Sequence, residues 1–210
     1  MIALAWSVVT PALVAQQRFE AAASAAAMEV RVDAGSGVER FSGPLIGGEG
    51  VVNAGRWTFA LRLSDGSLTA RTSGGVNRDV GELALEARGR AGPALAFFAL
   101  ARRCVYSTDF ARQRWSTLHL GIEGRVPFVG GAVQAVARGA LIPVVAVNGL
   151  PSAKTAYSLG TGLEYQRGAG TVRMLYSLER YEFSPQGIVR RSEQVATLTV
   201  RGAVRLGRRP

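Results

Sequence analysis

Apolar and polar residues alternate along most of this chain with a period of two. The clearest case is Arg114–Val147. Leu118, Leu120, Ile122 and Val126 fall on one side of an extended segment, while Thr117, His119, Glu123 and Arg125 fall on the other, because successive side chains of a β-strand point to opposite faces. The chain turns at Val129-Gly130-Gly131 and returns through Ala132–Val147, where Val133, Ala135, Ala137 and Leu141 alternate with Gln134 and Arg138. The pattern predicts a β-hairpin with one apolar face and one charged face.

The same unit recurs about five times. The predicted strands are Phe19–Asp33, Phe41–Asn53, Arg56–Ser64, Arg78–Arg90, Ala94–Tyr106, Arg114–Phe128, Ala132–Val147, Ala156–Arg167, Thr171–Phe183 and Glu193–Leu206. In the first, Met28, Val30 and Val32 share a face with Ala22 and Ala26, against Glu29, Arg31 and Asp33. Its Ala21–Ala27 run would suit a helix, but the alternation that follows favours a strand. In the third, Trp57, Phe59, Leu61 and Leu63 alternate with Arg56, Thr58, Ala60 and Arg62. Connections near 54–55, 91–93, 129–131 and 168–170 read as tight, and those near 34–40, 65–77, 107–113, 148–155 and 184–191 as longer. Ten strands in a meander, with eight as the alternative count, return both ends of the chain to the short-turn side.

So many one-sided apolar strands need a cover. A second sheet would give a sandwich, with the charged face in water, where alternating Glu and Arg gain little from pairing. A bilayer is the other cover, and it demands a closed barrel, since no water is present to satisfy an open edge. Strand length favours the bilayer: about nine to eleven tilted residues cross its core. Aromatic residues also gather at strand ends. Phe19, Trp57, Phe59, Phe97, Phe128 and Tyr165 lie towards the tight turns, and Phe41, Tyr106, Trp115, Tyr157, Tyr181 and Phe183 towards the longer loops. Two aromatic girdles are the expected arrangement.

Composition narrows the function classes. The net charge is +10, and Lys154 is the only lysine. The arginines are spread along strands rather than clustered, and no nucleic-acid-binding module is present, so nucleic acid is not an expected partner. One cysteine, Cys104, excludes an internal disulfide and a CxxC site. One histidine and scattered acids exclude a metal site by spacing, and no phosphate-loop pattern opens a helix. No cofactor is expected. No apolar run reaches the roughly 18–20 residues of a membrane-spanning helix. Met1–Ala15 is expected to be a cleaved secretory leader, with apolar Ile2–Val14 and small Ala15 before Gln16, although no Lys or Arg precedes the apolar run. The alternative is an N-terminal buried strand or helix.

Over Phe19–Leu206 the chain resembles the small bacterial outer-membrane β-barrel proteins of eight to ten strands. The resemblance rests on pattern rather than on a motif. It implies an all-β, closed, antiparallel up-and-down transmembrane barrel over residues 16–210 in the outer membrane of a Gram-negative bacterium. Outer-membrane lipid and the barrel-insertion machinery would be its partners, with short periplasmic turns and long outer loops. Members of that group usually end on an aromatic residue, whereas this chain ends Leu206-Gly207-Arg208-Arg209-Pro210.

In such a barrel the charged face points inward. The expected lumen residues are Glu29, Arg31, Glu49, Arg62, Glu82, Glu86, Arg88, Arg102, His119, Glu123, Arg125, Arg138, Glu164, Arg173, Glu179, Arg201 and Arg205. In a small barrel, side chains fill most of the interior, and buried charges must pair. The expectation is therefore an Arg–Glu network in a non-catalytic protein of structural or surface-exposed role, with a narrow, porin-like, anion-leaning channel as a variant of it.

Two alternatives stay open. One is a barrel enzyme acting on lipid A or a phospholipid, with His119 as base. The outer-membrane lipid A deacylases act through a His, a Ser and an acid, but Ser116 lies on the face opposite His119. Omptin-type proteases use Asp pairs, and no Asp lies near His119 in sequence. The other is a soluble periplasmic ligand-binding barrel.

Overall fold

The computed structural model describes residues 18–35, 37–185 and 190–206. The expected leader, Met1–Ala15, lies outside the described residues. Ten strands are present among them: β1 (Arg18–Asp33), β2 (Val38–Ala54), β3 (Trp57–Ala70), β4 (Arg78–Arg90), β5 (Leu95–Ser107), β6 (Arg112–Phe128), β7 (Val133–Val147), β8 (Ala153–Arg167), β9 (Gly170–Phe183) and β10 (Ser192–Leu206). Each pairs antiparallel with its neighbours in the chain, and β1 closes on β10 from Phe19↔Leu206 to Asp33↔Ser192. Closure leaves no edge strand.

The outer surface carries an apolar belt at the short-turn end. On β3, Trp57, Phe59, Leu61 and Leu63 are exposed, while Thr58, Ala60, Arg62 and Ser64 point inward. On β6, Leu120, Ile122, Val126 and Phe128 are exposed, whereas His119 and Glu123 are buried. The outward face of β1 is apolar from Phe19 to Ala27. Nine residues rise about 27 Å along a strand and span roughly 20 Å once tilted; with the flanking rings this matches the ~25 Å apolar band of a transmembrane barrel.

Above the belt, towards the longer loops, the polarity reverses. Outward positions become Glu29, Arg31, Arg40, Ser67, Thr69, Arg180 and Glu182, all exposed. Inward positions become Val30, Val32, Phe41, Leu68, Val80, Cys104, Trp115, Tyr181 and Phe183, which form a buried apolar core inside the barrel. With charge outside and an apolar core inside, this part of the wall packs as a soluble barrel does.

This reversal corrects three expectations. Glu29 and Arg31 face outward, not into the lumen, because here the apolar face of β1 (Met28, Val30, Val32) is the buried one. The upper aromatic girdle is absent as such: Phe41, Trp115, Tyr181 and Phe183 are buried in the core and Tyr106 packs on it, leaving Tyr157 on the outward face of Leu159. At the short-turn end Phe19, Trp57, Phe59, Phe97, Phe128 and Tyr165 are all exposed. The loops are also shorter than expected. β3 runs through Asp65-Gly66 to Ala70, and the connection to β4 starts at residue 71. Asp65 there is a polar outward strand residue, not a turn residue.

One irregularity sits beside His119. Leu118 pairs with Val144 and Leu120 with Leu141, so Ile142 and Pro143 together oppose His119. This is a β-bulge, and proline fits it because a bulge residue need not donate to the ladder. Gly121 is required next to it: a Cβ there would lie 2.3 Å from the Gly139 carbonyl oxygen and 2.6 Å from the Phe98 ring.

The belt boundary is testable on one strand. Leu61→Arg should destabilise the barrel refolded in lipid vesicles by about 2–4 kcal/mol, read by denaturant titration, whereas Thr69→Arg on the same face should be close to neutral.

Candidate functional site

The lumen of the belt zone is the candidate site. Charged side chains from most strands meet there, and all arrive by the same rule: they occupy the positions that alternate with the lipid-facing ones. Three ion-pair clusters line it.

The first is built on Glu123 of β6, whose side chain is fully buried. Its carboxylate accepts from Arg88 Nη1 at 2.8 Å, Arg125 Nε at 2.9 Å and Arg173 Nη2 at 2.9 Å, and Arg138 Nε lies 3.5 Å away. These arginines come from β4, β6, β9 and β7, so one carboxylate ties opposing walls together. Arg125 also donates to Glu164 at 2.7 Å, and Arg138 to Glu86 at 2.9 Å. The Arg138 guanidinium stacks 4.0 Å over the Phe98 ring, which favours a desolvated cation further.

The second cluster lies directly under the apolar core. Arg102 of β5 reaches across the lumen to both oxygens of Glu179 on β9, at 2.8 and 2.5 Å, and Glu82 lies 3.9 Å from it. Such a two-pronged guanidinium–carboxylate pair is both strong and directional. The Tyr181 hydroxyl accepts from Arg102 at 2.8 Å and donates to Glu179 at 2.5 Å. Its ring meets Trp115 edge-on with centroids 5.1 Å apart. Tyr181 thus joins the ionic layer to the apolar one. Phe183 and Tyr106 complete the cage around Trp115, with centroids at 5.8 and 6.4 Å.

The third cluster sits nearer the β1–β10 closure. Glu49 accepts from Arg62 at 2.9 Å and from Arg201 at 2.8 Å, and Arg201 also donates to Glu20 at 2.7 Å. The first cluster carries one surplus positive charge, the second one surplus negative charge, and the third is balanced. Together they hold seven arginines and seven glutamates and are formally neutral.

His119 is buried, and its Nε2 is 3.0 Å from Thr117 Oγ1. No serine or carboxylate completes a triad with it among its hydrogen bonds. No cluster of His, Cys, Asp or Glu able to hold a metal occurs among the described residues.

A cavity of about 1090 Å³ occupies the lumen. Its wall includes His119 and every charged residue of the clusters except Glu49, and at the short-turn end Arg18, Gly55, Arg90, Gly92, Pro93 and Arg205. Phe41, Leu68, Val80, Trp115, Tyr181 and Phe183, which form the core at the loop end, do not border it. The space therefore opens beside the short turns and ends blind beneath the apolar core.

Of the residues expected in the lumen, the structure brings all but Glu29 and Arg31 to its wall or its ion pairs. Sequence reasoning missed Arg18, Glu20 and Arg90. Arg18 lies just before the expected start of the first strand; Arg18 and Glu20 share the inward face of Ala22 and Ser24, and Arg90 that of Glu86 and Arg88.

The chain matches no protein-family model and no curated protein by sequence. Its fold is similar to the outer-membrane protease OmpT from Escherichia coli, at a TM-score of 0.58 and 9% identity over 90% of this chain and 97% of that one. It is also similar to the β domain of the Bordetella autotransporter BrkA (TM-score 0.49, 11% identity, 88% and 98% of the two chains) and to the translocator domain of the autotransporter NalP from Neisseria meningitidis (0.46, 14%, 90% and 88%). The chain thus has the closed ten-stranded fold of bacterial outer-membrane β-barrels, and at these identities the likeness is one of fold.

Removing Glu123 would leave four inward arginines without their shared carboxylate. Breaking a buried ionic site in this way costs about 3–5 kcal/mol. Glu123→Gln should therefore lower the temperature at which the barrel loses its folded gel mobility, while Arg71→Ala in the β3–β4 loop should leave it unchanged.

Proposed function

We propose that the chain is a non-catalytic outer-membrane barrel of structural or surface-exposed role, with a lumen that is braced and closed rather than conducting. The observation that carries this reading is the apolar core across the loop end, seated on a neutral Arg–Glu network. A conducting pore needs a continuous wet path, and Trp115, Tyr181 and their neighbours fill that path with packed rings. The anion-leaning channel also loses its electrostatic basis, since the arginine surplus lies outside the network. The outer membrane is the location that fits the belt and the fold likeness, with lipid as the partner of the belt and the barrel-insertion machinery as a further one.

The enzyme alternative finds little support. His119 is enclosed in the lumen and bonded to Thr117, and a lipid lying against the outer belt has no route to it. A soluble ligand-binding barrel would need a polar exterior where Leu61, Leu85, Ile122 and Leu163 are exposed.

Planar-bilayer recording tests the proposal. The purified chain should give no stable single-channel conductance, and Trp115→Ala combined with Phe183→Ala should introduce one. Steady unitary currents from the unmodified chain would overturn the closed-lumen reading. Lipid A that changes in mass only when His119 is intact would overturn the non-catalytic one.

A further inference from the structure

We propose that the short-turn mouth of the lumen is a binding site for small phosphate-bearing anions, held by Arg18, Arg90 and Arg205. All three line the cavity and are exposed at its open end. The deeper network is neutral, and its guanidinium groups are engaged by its own glutamates. The mouth has no such balance. Among the described residues none of these three arginines forms an ion pair; Glu20, two residues from Arg18 and opposite Arg205 in the ladder, is bonded instead to Arg201 at 2.7 Å. Arg205 meets the neutral Gln166 amide and faces Glu20 across the β1–β10 ladder, but it forms no ion pair with that carboxylate.

The asymmetry extends beyond the mouth. Arg56 and Arg167 lie exposed on the outer rim at the same end, and neither forms an ion pair among the described residues. At the loop end, by contrast, acids and bases interleave, and all four aspartates of the chain (Asp33, Asp65, Asp79 and Asp109) are found there. A cavity mouth of one sign, set in low-dielectric walls, concentrates field and draws in counter-ions. Guanidinium groups carry the charge, and their planar fork suits the oxygens of a phosphate better than a compact ammonium does. The cavity exceeds the size of inorganic phosphate and, at about 1090 Å³, is slightly larger than the usual small-molecule site, so a pyrophosphate or phosphate ester fits. The apolar core limits approach to the short-turn side, but the site itself does not depend on that seal.

Two sources could offer this chemistry, a soluble phosphate or a lipid headgroup. The lumen-facing arginines favour the soluble one, since lipid headgroups meet Arg56 and Arg167 on the outer rim. The test is calorimetric titration of the full chain with pyrophosphate in nanodiscs of zwitterionic phosphatidylcholine. Saturable binding that weakens with salt is expected. Arg90→Gln with Arg205→Gln should weaken it by about tenfold or more, the loss expected of charge-assisted hydrogen bonds, with folded gel mobility retained. Arg56→Gln with Arg167→Gln should leave it unchanged. Should the first pair fail to fold, Arg90→Gln alone, at an exposed side chain, carries the same expectation. Absence of saturable binding, equal binding by the Arg90/Arg205 variant, or loss in the Arg56/Arg167 variant would each overturn the proposal, the last by assigning the phosphate to the lipid-facing rim.

Discussion

Hydrocarbon supplies no hydrogen-bond partner, so a peptide group left open within it costs several kcal/mol. In this chain the constraint acts twice. It forces β1 to close on β10 so that no strand edge meets lipid, and it sends belt-zone charges such as Arg62, Glu86 and Glu123 inward. Leu61 and Arg62 are adjacent in sequence but lie on opposite sides of the wall. The apolar belt and the ionic lumen are two consequences of the same alternation.

Charges driven inward then have to satisfy one another. Glu123 holds Arg88, Arg125 and Arg173 within hydrogen-bonding distance, and Arg102 spans the lumen to Glu179. Pairs of this kind gain little over an apolar filling of equal volume. Their consequence is specificity: a one-residue slip in any strand would turn its arginines and glutamates towards lipid. Above the belt the constraint relaxes, and the chain returns to the cheaper arrangement of apolar core inside and charge outside. Tyr181 stands at the junction, its ring in the core and its hydroxyl in the ionic layer. The seal and the brace are therefore one structure, and the blind cavity follows from both.

Much of this was legible in the sequence. The bounds of β4 agree with the alternation to the residue, and the facing of β6 and β9 follows from His119, Glu123, Arg173 and Glu179. The height at which the polarity reverses was not legible. Alternation says which residues share a face, but not whether lipid or water lies outside it. Alternation alone therefore assigns Glu29 and Arg31 to the lumen, and the Asp-Gly pair assigns Asp65-Gly66 to a loop. The aromatics show two signals in conflict. Trp115 lies near a strand end, as girdle residues do, yet it shares the face of Thr117 and His119; facing decided its place. Pairing was beyond reach too, because residues as distant as Arg102 and Glu179, 77 apart, meet only once ten strands have closed with a particular stagger. The bare mouth at Arg90 and Arg205 becomes visible only when those pairs are known.

The central claim is that one face of each strand contacts hydrocarbon up to a sharp height and water beyond it. Nitroxide scanning along β3, in a Cys104→Ala background and with the barrel in lipid bilayers, tests this most directly. Labels at 59, 61 and 63 should be relaxed by oxygen and shielded from a water-soluble nickel chelate, labels at 67 and 69 should show the opposite, and labels at 60 and 64 should be shielded from lipid-dissolved oxygen. Chelate access at 59, 61 and 63 equal to that at 69 would contradict the account.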